Sequence, residues 1–247
     1  MVCLKSEEEI EMLKEAGSIL VRIMEGLRRA VKPGISTQEL DNLAKSLMEQ
    51  EEAIPAFKGY QGFPANICAS INEEVVHGIP GGRILKEGDI VSLDVGVNFK
   101  GFFSDCAFTL PVGKIEPRKK KLIEITKNAL YQGIKQARVN NCLYDISYAI
   151  QRYVESNNFS VVRQFVGHGI GRSMHEEPEI PNFGKPHQGL KLLAGMVLAI
   201  EPMVNMGTWQ TVIGDNGWTA VTKDGLASAH FEHTVAITAK GPRILTQ

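Results

Sequence analysis

Two aspartates, Asp94 and Asp105, flank a turn in the segment DIVSLDVGVNFKGFFSDCAFTL. Asn98 and Gly101 suit the first and last positions of a type I turn around Phe99 and Lys100. Paired residues then have numbers summing to 199. Asp94 opposes Asp105, and Ser92, Asp94 and Gly96 lie on the face away from Val91, Leu93 and Val95. Directly opposed side chains have Cβ atoms about 5 Å apart, where two carboxylates at an effective dielectric near 20 repel by about 3 kcal/mol. Escape of one acid to water at a sheet edge, a shared proton, or a divalent cation would relieve this. The cation does so without tying the site to acid pH.

Further acids interrupt apolar strands. In AGMVLAIEPMVN, read as one strand, Val197, Ala199, Glu201 and Met203 share a face; in SAHFEHTVAIT, Glu232 stands among Phe231, Val235, Ala236 and Ile237. Acids buried in this way need partners. His168 lies between glycines in VGHGIGRSMHEEP, whose missing side chains would let a metal or substrate approach the backbone. Asp94, Asp105, Glu201 and Glu232 with one neutral imidazole carry a charge of −4, which two divalent ions balance. Oxygen-rich ligation with a single imidazole suits cobalt, manganese, iron or zinc. Two such ions can hold a bridging hydroxide at neutral pH and polarise a carbonyl, so hydrolysis is the expected reaction. His77 in VVHGIP and His175 are candidate proton handlers or oxyanion donors, with loop capping as the alternative. Hairpin parity sets Cys106 beside Leu93 on the opposite face as a core thiol. His233 likewise points away from Glu232, and His230 shares its face with no assigned role.

Elements that would carry these residues follow from the apolar periodicity. A helix is expected from residue 7 to about 31, closed by Pro33-Gly34, and a second from the Ser36/Glu39 capping box to about 51. A Gly/Pro/aromatic loop over 55–66 leads to the strand ANICASI, and helices recur at 117–138 and 143–157. Gly88 leads Asp94 by six residues, as Gly195 leads Glu201 by six, at an offset of 107. The pattern suggests two related halves, about 1–115 and 116–247, that bring their carboxylate strands to a central axis within a single domain.

With 247 residues, 43% hydrophobic and 22% charged, the chain can bury a large core. Its net charge of −1 favours neither nucleic acid nor anionic lipid, and the basic run Arg118–Lys121 is expected to be a solvated helix face. Four scattered cysteines, no signal-peptide pattern and no apolar run of membrane-spanning length fit a reducing cytoplasm.

The motifs NEEVVHGIP, DVGVNFKGFFSDCAFT, GHGIGRSMHEEP, AIEPM and FEHT, in this order and spacing, closely resemble the type I methionine aminopeptidases. The resemblance implies a pseudo-symmetric α/β pita-bread fold, with a central antiparallel sheet flanked by helices. It also implies removal of the initiator methionine from new polypeptides when the second residue is small. Matched by motif position, Asp94 would chelate one metal, His168 and Glu201 the other, and Asp105 and Glu232 both. His77 and His175 would contact the substrate near the scissile bond, and Glu201 would also shuttle a proton. The methionine pocket would comprise Tyr60, Phe63, Cys68, His77 and Trp218, with Phe57 where some relatives have a smaller residue. The separation of 33 positions from His168 to Glu201 leaves no room for the helical insertion of the type II enzymes. A cytoplasmic monomer is expected, acting on nascent chains without nucleic-acid or membrane binding of its own. Contact with the ribosome is a family-level expectation, and Lys119 to Lys121 are the candidate residues for it. A proline-directed peptidase of the same fold is the alternative enzyme.

Overall fold

The computed structural model describes residues 2–247. Up to residue 111 the chain runs α1 (Glu7–Ala30), α2 (Thr37–Gln50), β1 (Ile54–Pro55), β2 (Cys68–Ile71), β3 (Glu74–Val76), β4 (Ile90–Phe99) and β5 (Phe102–Pro111). Then come α3 (Pro117–Gln136), α4 (Leu143–Glu155), β6 (Ser160–Val161), β7 (Gly167–Gly169), β8 (Glu176–Ile180), β9 (Val197–Ile200) and β10 (Met203–Asn205). The chain closes with β11 (Thr211–Ile213), β12 (Ala220–Thr222), β13 (Ser228–His230), β14 (Glu232–Thr238) and β15 (Gly241–Ile244).

The main sheet has the order β1-β4-β5-β14-β9-β7-β8, with β2 also on β4 and β15 on β14. Its pairings are antiparallel. The hairpin β4–β5 thus meets the pair β14–β9 at a central seam, giving the pseudo-symmetric arrangement. Gly88 and Gly195, the equivalent glycines, both take the left-handed conformation, with φ of 94° and 92°. Each donates its N–H toward the partner strand of its pair, Gly88 to Val112 O just past the end of β5 and Gly195 to Ile237 O of β14.

Strand alternation divides the sheet. Leu93, Val95, Cys106, Phe108, Leu198, Ile200 and Val235 join the main apolar core with the inner stripes of the four helices. Leu20, Ile23 and Leu27 of α1 are fully buried there, each contributing about 1.5–3 kcal/mol. α1 and α2 start at reciprocal capping boxes, Ser6/Glu9 and Ser36/Glu39. The opposite face carries the acids.

Several expectations are corrected. The hairpin register is Asp94↔Ala107 and Gly96↔Asp105, because the chain reverses at Lys100-Gly101 between the paired Phe99 and Phe102. Both turn residues have positive φ, 52° and 85°, as in a type I′ turn whose twist matches the strands. A slip of two residues preserves each side chain's face, so the aspartates remain together but diagonal, and Cys106 faces Val95 rather than Leu93. AGMVLAIEPMVN and SAHFEHTVAIT are each two strands. β9 and β14 lie in the main sheet, whereas β10 and β13 pair with each other in a smaller one, the breaks falling at Glu201-Pro202 and Phe231. The basic run is only partly solvated: Lys119 Nζ donates to Asn72 Oδ1 and Gly88 O, and Arg118 to Met206 O.

The aromatic loop after β1 is anchored by Asp41 of α2. Its buried carboxylate accepts from Asn66 N at 2.8 Å, Asn66 Nδ2 at 2.7 Å and Ile67 N at 3.2 Å. Asp41→Ala leaves these donors without their acceptor and is expected to cost about 2–3 kcal/mol in urea unfolding, with Asp41→Asn intermediate. A loss below about 0.5 kcal/mol would mean that the loop holds itself.

Candidate metal and substrate site

Asp105 and Glu232 sit at the seam, where β5 and β14 pair through Glu232↔Ala107 and His233↔Cys106. Beyond that point β15 replaces β5 as the neighbour of β14. The Thr234 hydroxyl fills the fork, donating to Asp105 O at 2.8 Å and accepting from Asp105 N at 3.1 Å. Asp94 comes from β4, Glu201 from the break after β9, and His168 from β7, paired with Ala199. The glycines around His168 serve this packing rather than an approaching ligand. A Cβ on Gly167 would lie 2.3 Å from Ala199 O, and one on Gly169 would lie 2.3 Å from Glu177 O.

The five side chains converge. One donor atom each from Asp105, His168 and Glu232 lie within 4.8 Å of one another. His168 Nε2 is 3.8 Å from Asp105 Oδ2 and 3.7 Å from Glu201 Oε1. His168 Nδ1 lies 2.9 Å from Gly169 O, which can only accept, so Nδ1 carries the proton and Nε2 presents a lone pair to the carboxylates. Burial holds this imidazole neutral, its pKa down at about 3.

Burial also pushes the carboxyls of Asp94, Asp105, Glu201 and Glu232 upward. Mutual repulsion adds to this at Asp94, Asp105 and Glu232, while a proton on His230 would draw Asp94 back. Asp94 Oδ1, Glu232 Oε1 and His230 Nε2 are buried without a hydrogen-bond partner. Lone pairs facing one another, with acceptors unsatisfied and, among the described residues, no lysine or arginine lining the site, fit a divalent cation.

Above the acids opens a cavity of about 290 Å³. All twelve site residues named from the sequence line it, joined by Gln61 and Met174, which sequence reasoning missed. Met174 immediately precedes His175, and its neighbourhood was the available signal. Phe63 and Trp218 meet edge to face at 5.3 Å, and the Phe57 ring lies over Gly96, where a Cβ would approach it to 2.6 Å. His175 stacks near His168 at 4.2 Å, and its Nδ1 is 2.8 Å from the Tyr60 hydroxyl. His77 holds a left-handed backbone at φ 59°, packs edge-on against Phe165, and is neutral through burial, its pKa lowered to about 4.

His230, unassigned from sequence, is fully enclosed with Nε2 3.5 Å from Glu201 Oε2. Cys106 and His233 lie on the rear face. The Cys106 thiol donates to Glu232 O, and His233 bonds Thr246 and Tyr131.

The model of metallopeptidase family M24 matches residues 11–239. The methionine aminopeptidase of Clostridium perfringens is 55% identical over 246 residues, covering 100% of this chain and 99% of its own. The structure of the methionine aminopeptidase from Thermotoga maritima superposes with a TM-score of 0.98 at 45% identity, covering 100% of both chains. The prolidase of Pyrococcus horikoshii, at 21% identity and a TM-score of 0.81 with 63% of its chain covered, shares the fold alone. The chain therefore belongs to metallopeptidase family M24 and, within it, to the methionine aminopeptidases.

Proposed function

We propose that this protein removes the N-terminal methionine from polypeptides whose second residue is small, as a single catalytic domain of two halves, about 1–115 and 116–247. The carrying observation is the convergence of four carboxylates and a lone-pair-bearing imidazole, with no lysine or arginine among the described lining residues, beneath an aromatic cavity. Asp94, Asp105, His168, Glu201 and Glu232 would hold two divalent ions, drawn from cobalt, manganese, iron or zinc. When bound, such ions supply Lewis acidity and an activated water to the scissile peptide bond.

The chain's own groups bind and orient the substrate. Phe57, Tyr60, Phe63, Cys68 and Trp218 enclose the unbranched thioether, an aromatic setting with a soft thiol that suits sulfur. With the Tyr60 hydroxyl, 2.8 Å away, donating to His175 Nδ1, the ring that burial keeps neutral would carry its proton on Nε2 and offer it to the substrate carbonyl. His77, also neutral, is the second donor near the scissile bond. Glu201, facing His230, moves a proton from the attacking water to the leaving amine. Described residues include no helix long and apolar enough to cross a membrane. A cytoplasmic monomer acting on nascent chains completes the reading, and any ribosome contact would rest on Lys120 and Lys121, since Lys119 is engaged internally.

Methionine release from Met-Gly-Met and Met-Leu-Met by chelator-stripped and then metal-restored protein tests this directly. Only the glycine peptide should be cut, and only with metal; cleavage that survives chelation would refute the mechanism. His175→Ala should lower kcat by about 10²–10³-fold while elemental analysis finds the metal content unchanged. Loss of both metals in that variant would make His175 a ligand instead.

A further inference from the structure

The small sheet β11-β12-β3 ends in a strand whose outer edge is open. Gly214 N bonds Thr219 O and Lys223 N bonds Gln210 O, so residues 210, 212 and 214 face β12 and residues 211 and 213 face outward. At Thr211 the outward groups are satisfied by a side chain. Gln164 Nε2 donates to Thr211 O at 3.0 Å, and Gln164 Oε1 accepts from Thr211 N at 2.9 Å, as an adjoining strand would. The imitation stops after one rung, and the next outward residue is Ile213.

Apolar side chains are concentrated at this edge. Of the eight large hydrophobic residues exposed among the described residues, Trp209, Val212, Ile213 and Leu226 lie on or beside this sheet, with Ile213 the more exposed of the two on β11 at 55%. An open strand edge with exposed apolar residues is a template for pairing with an extended chain. The edge adjoins residues of the cavity wall. Trp218, on the β11–β12 turn, lines it, and Gln164 precedes Phe165, whose ring packs against His77 of the cavity wall.

We propose that the outer edge of β11 pairs, through the Ile213 backbone, with the extended segment of the substrate polypeptide that follows the cleaved bond, from about its third residue onward. This rests on the aminopeptidase reading, whose substrate is a polypeptide that must leave the cavity as a chain. Backbone pairing would add affinity for longer substrates without reading their sequence, which suits an enzyme that meets many different proteins.

The test compares Met-Gly-Met with Met-Gly-Met-Val-Thr-Val-Ser on metal-loaded protein. The longer peptide is expected to show kcat/KM about tenfold higher, the effect of one or two backbone hydrogen bonds. Ile213→Pro removes the outward N–H at an edge position that tolerates proline. It should bring the longer peptide down to the tripeptide's value and leave the tripeptide unchanged. On the wild-type protein, single N-methylations along Val-Thr-Val-Ser should lower kcat/KM at the one position whose N–H meets Ile213 O and leave the others unchanged, a readout independent of how the variant folds. Equal kcat/KM for both peptides, equal loss on both in Ile213→Pro, or indifference to every N-methylation would each overturn the proposal. Failure to cut Met-Gly-Met at all would instead sink the aminopeptidase reading.

Discussion

Four carboxylates and the lone pair of His168 share one face of the β5–β14 seam, where no lysine or arginine among the described residues lines the cavity to offset them. Gathering like charges away from water costs energy, and the raised carboxyls of Asp105, Glu201 and Glu232 record that cost. The rest of the fold exists in balance with it. The apolar rear face, packed by four helices, stabilises strands that would otherwise separate at the acids. A divalent cation that binds only the folded arrangement would turn the repulsion into attraction and add to stability by mass action.

The fold concentrates its irregularities where the acids stand. β5 parts from β14 at Asp105, β9 ends before Glu201-Pro202, and β14 begins at Glu232 after the break at Phe231. A continuous ladder would fix every side chain at strand spacing and keep carboxylates from different strands at sheet distances. Ending the ladders lets side chains from β4, β5, β14 and the end of β9 lean toward one point. Thr234 compensates for the lost rung by bonding both backbone groups of Asp105. The local defect is thus satisfied rather than left open.

Parity was legible in the sequence, but register was not. Alternation placed Asp94 and Asp105 on one face and Cys106 on the other, and it holds because a slip of two residues leaves the face unchanged. The register itself depended on whether Lys100 adopts positive φ, which nothing about a lysine announces. The strand breaks were hidden for a related reason: AIEPM and AHFEH keep strand-like composition across a change of sheet, and only Pro202 hinted at the first. The glycines beside His168 and the inward turn of Arg118 and Lys119 answer to distant segments, β9 and β8 in one case and residues 72, 88 and 206 in the other. No local pattern encodes them. His230 stood undecided because its neighbour Glu201 is remote in sequence but 3.5 Å away in space.

The two parts of the cavity differ in how firmly they are held. The acids and His168 stand on or beside strands of the central sheet, with Asp105 and Glu232 at 4% and 1% exposure, and cannot move without disturbing the core. Much of the aromatic wall comes from connections: Phe57, Tyr60 and Phe63 from the loop anchored by Asp41, Trp218 from the β11–β12 turn. His77 lies between, on a loop but in a left-handed conformation, with Thr219 donating to its carbonyl and Phe165 against its ring. Strain of that kind persists only where surroundings over-determine it. Hydrolytic chemistry needs donors fixed to within a fraction of an ångström, whereas gripping a flexible thioether does not. On the proposed reading, distributing the two tasks between sheet and loops would let pocket width vary through residues such as Phe57 while the acids keep their positions.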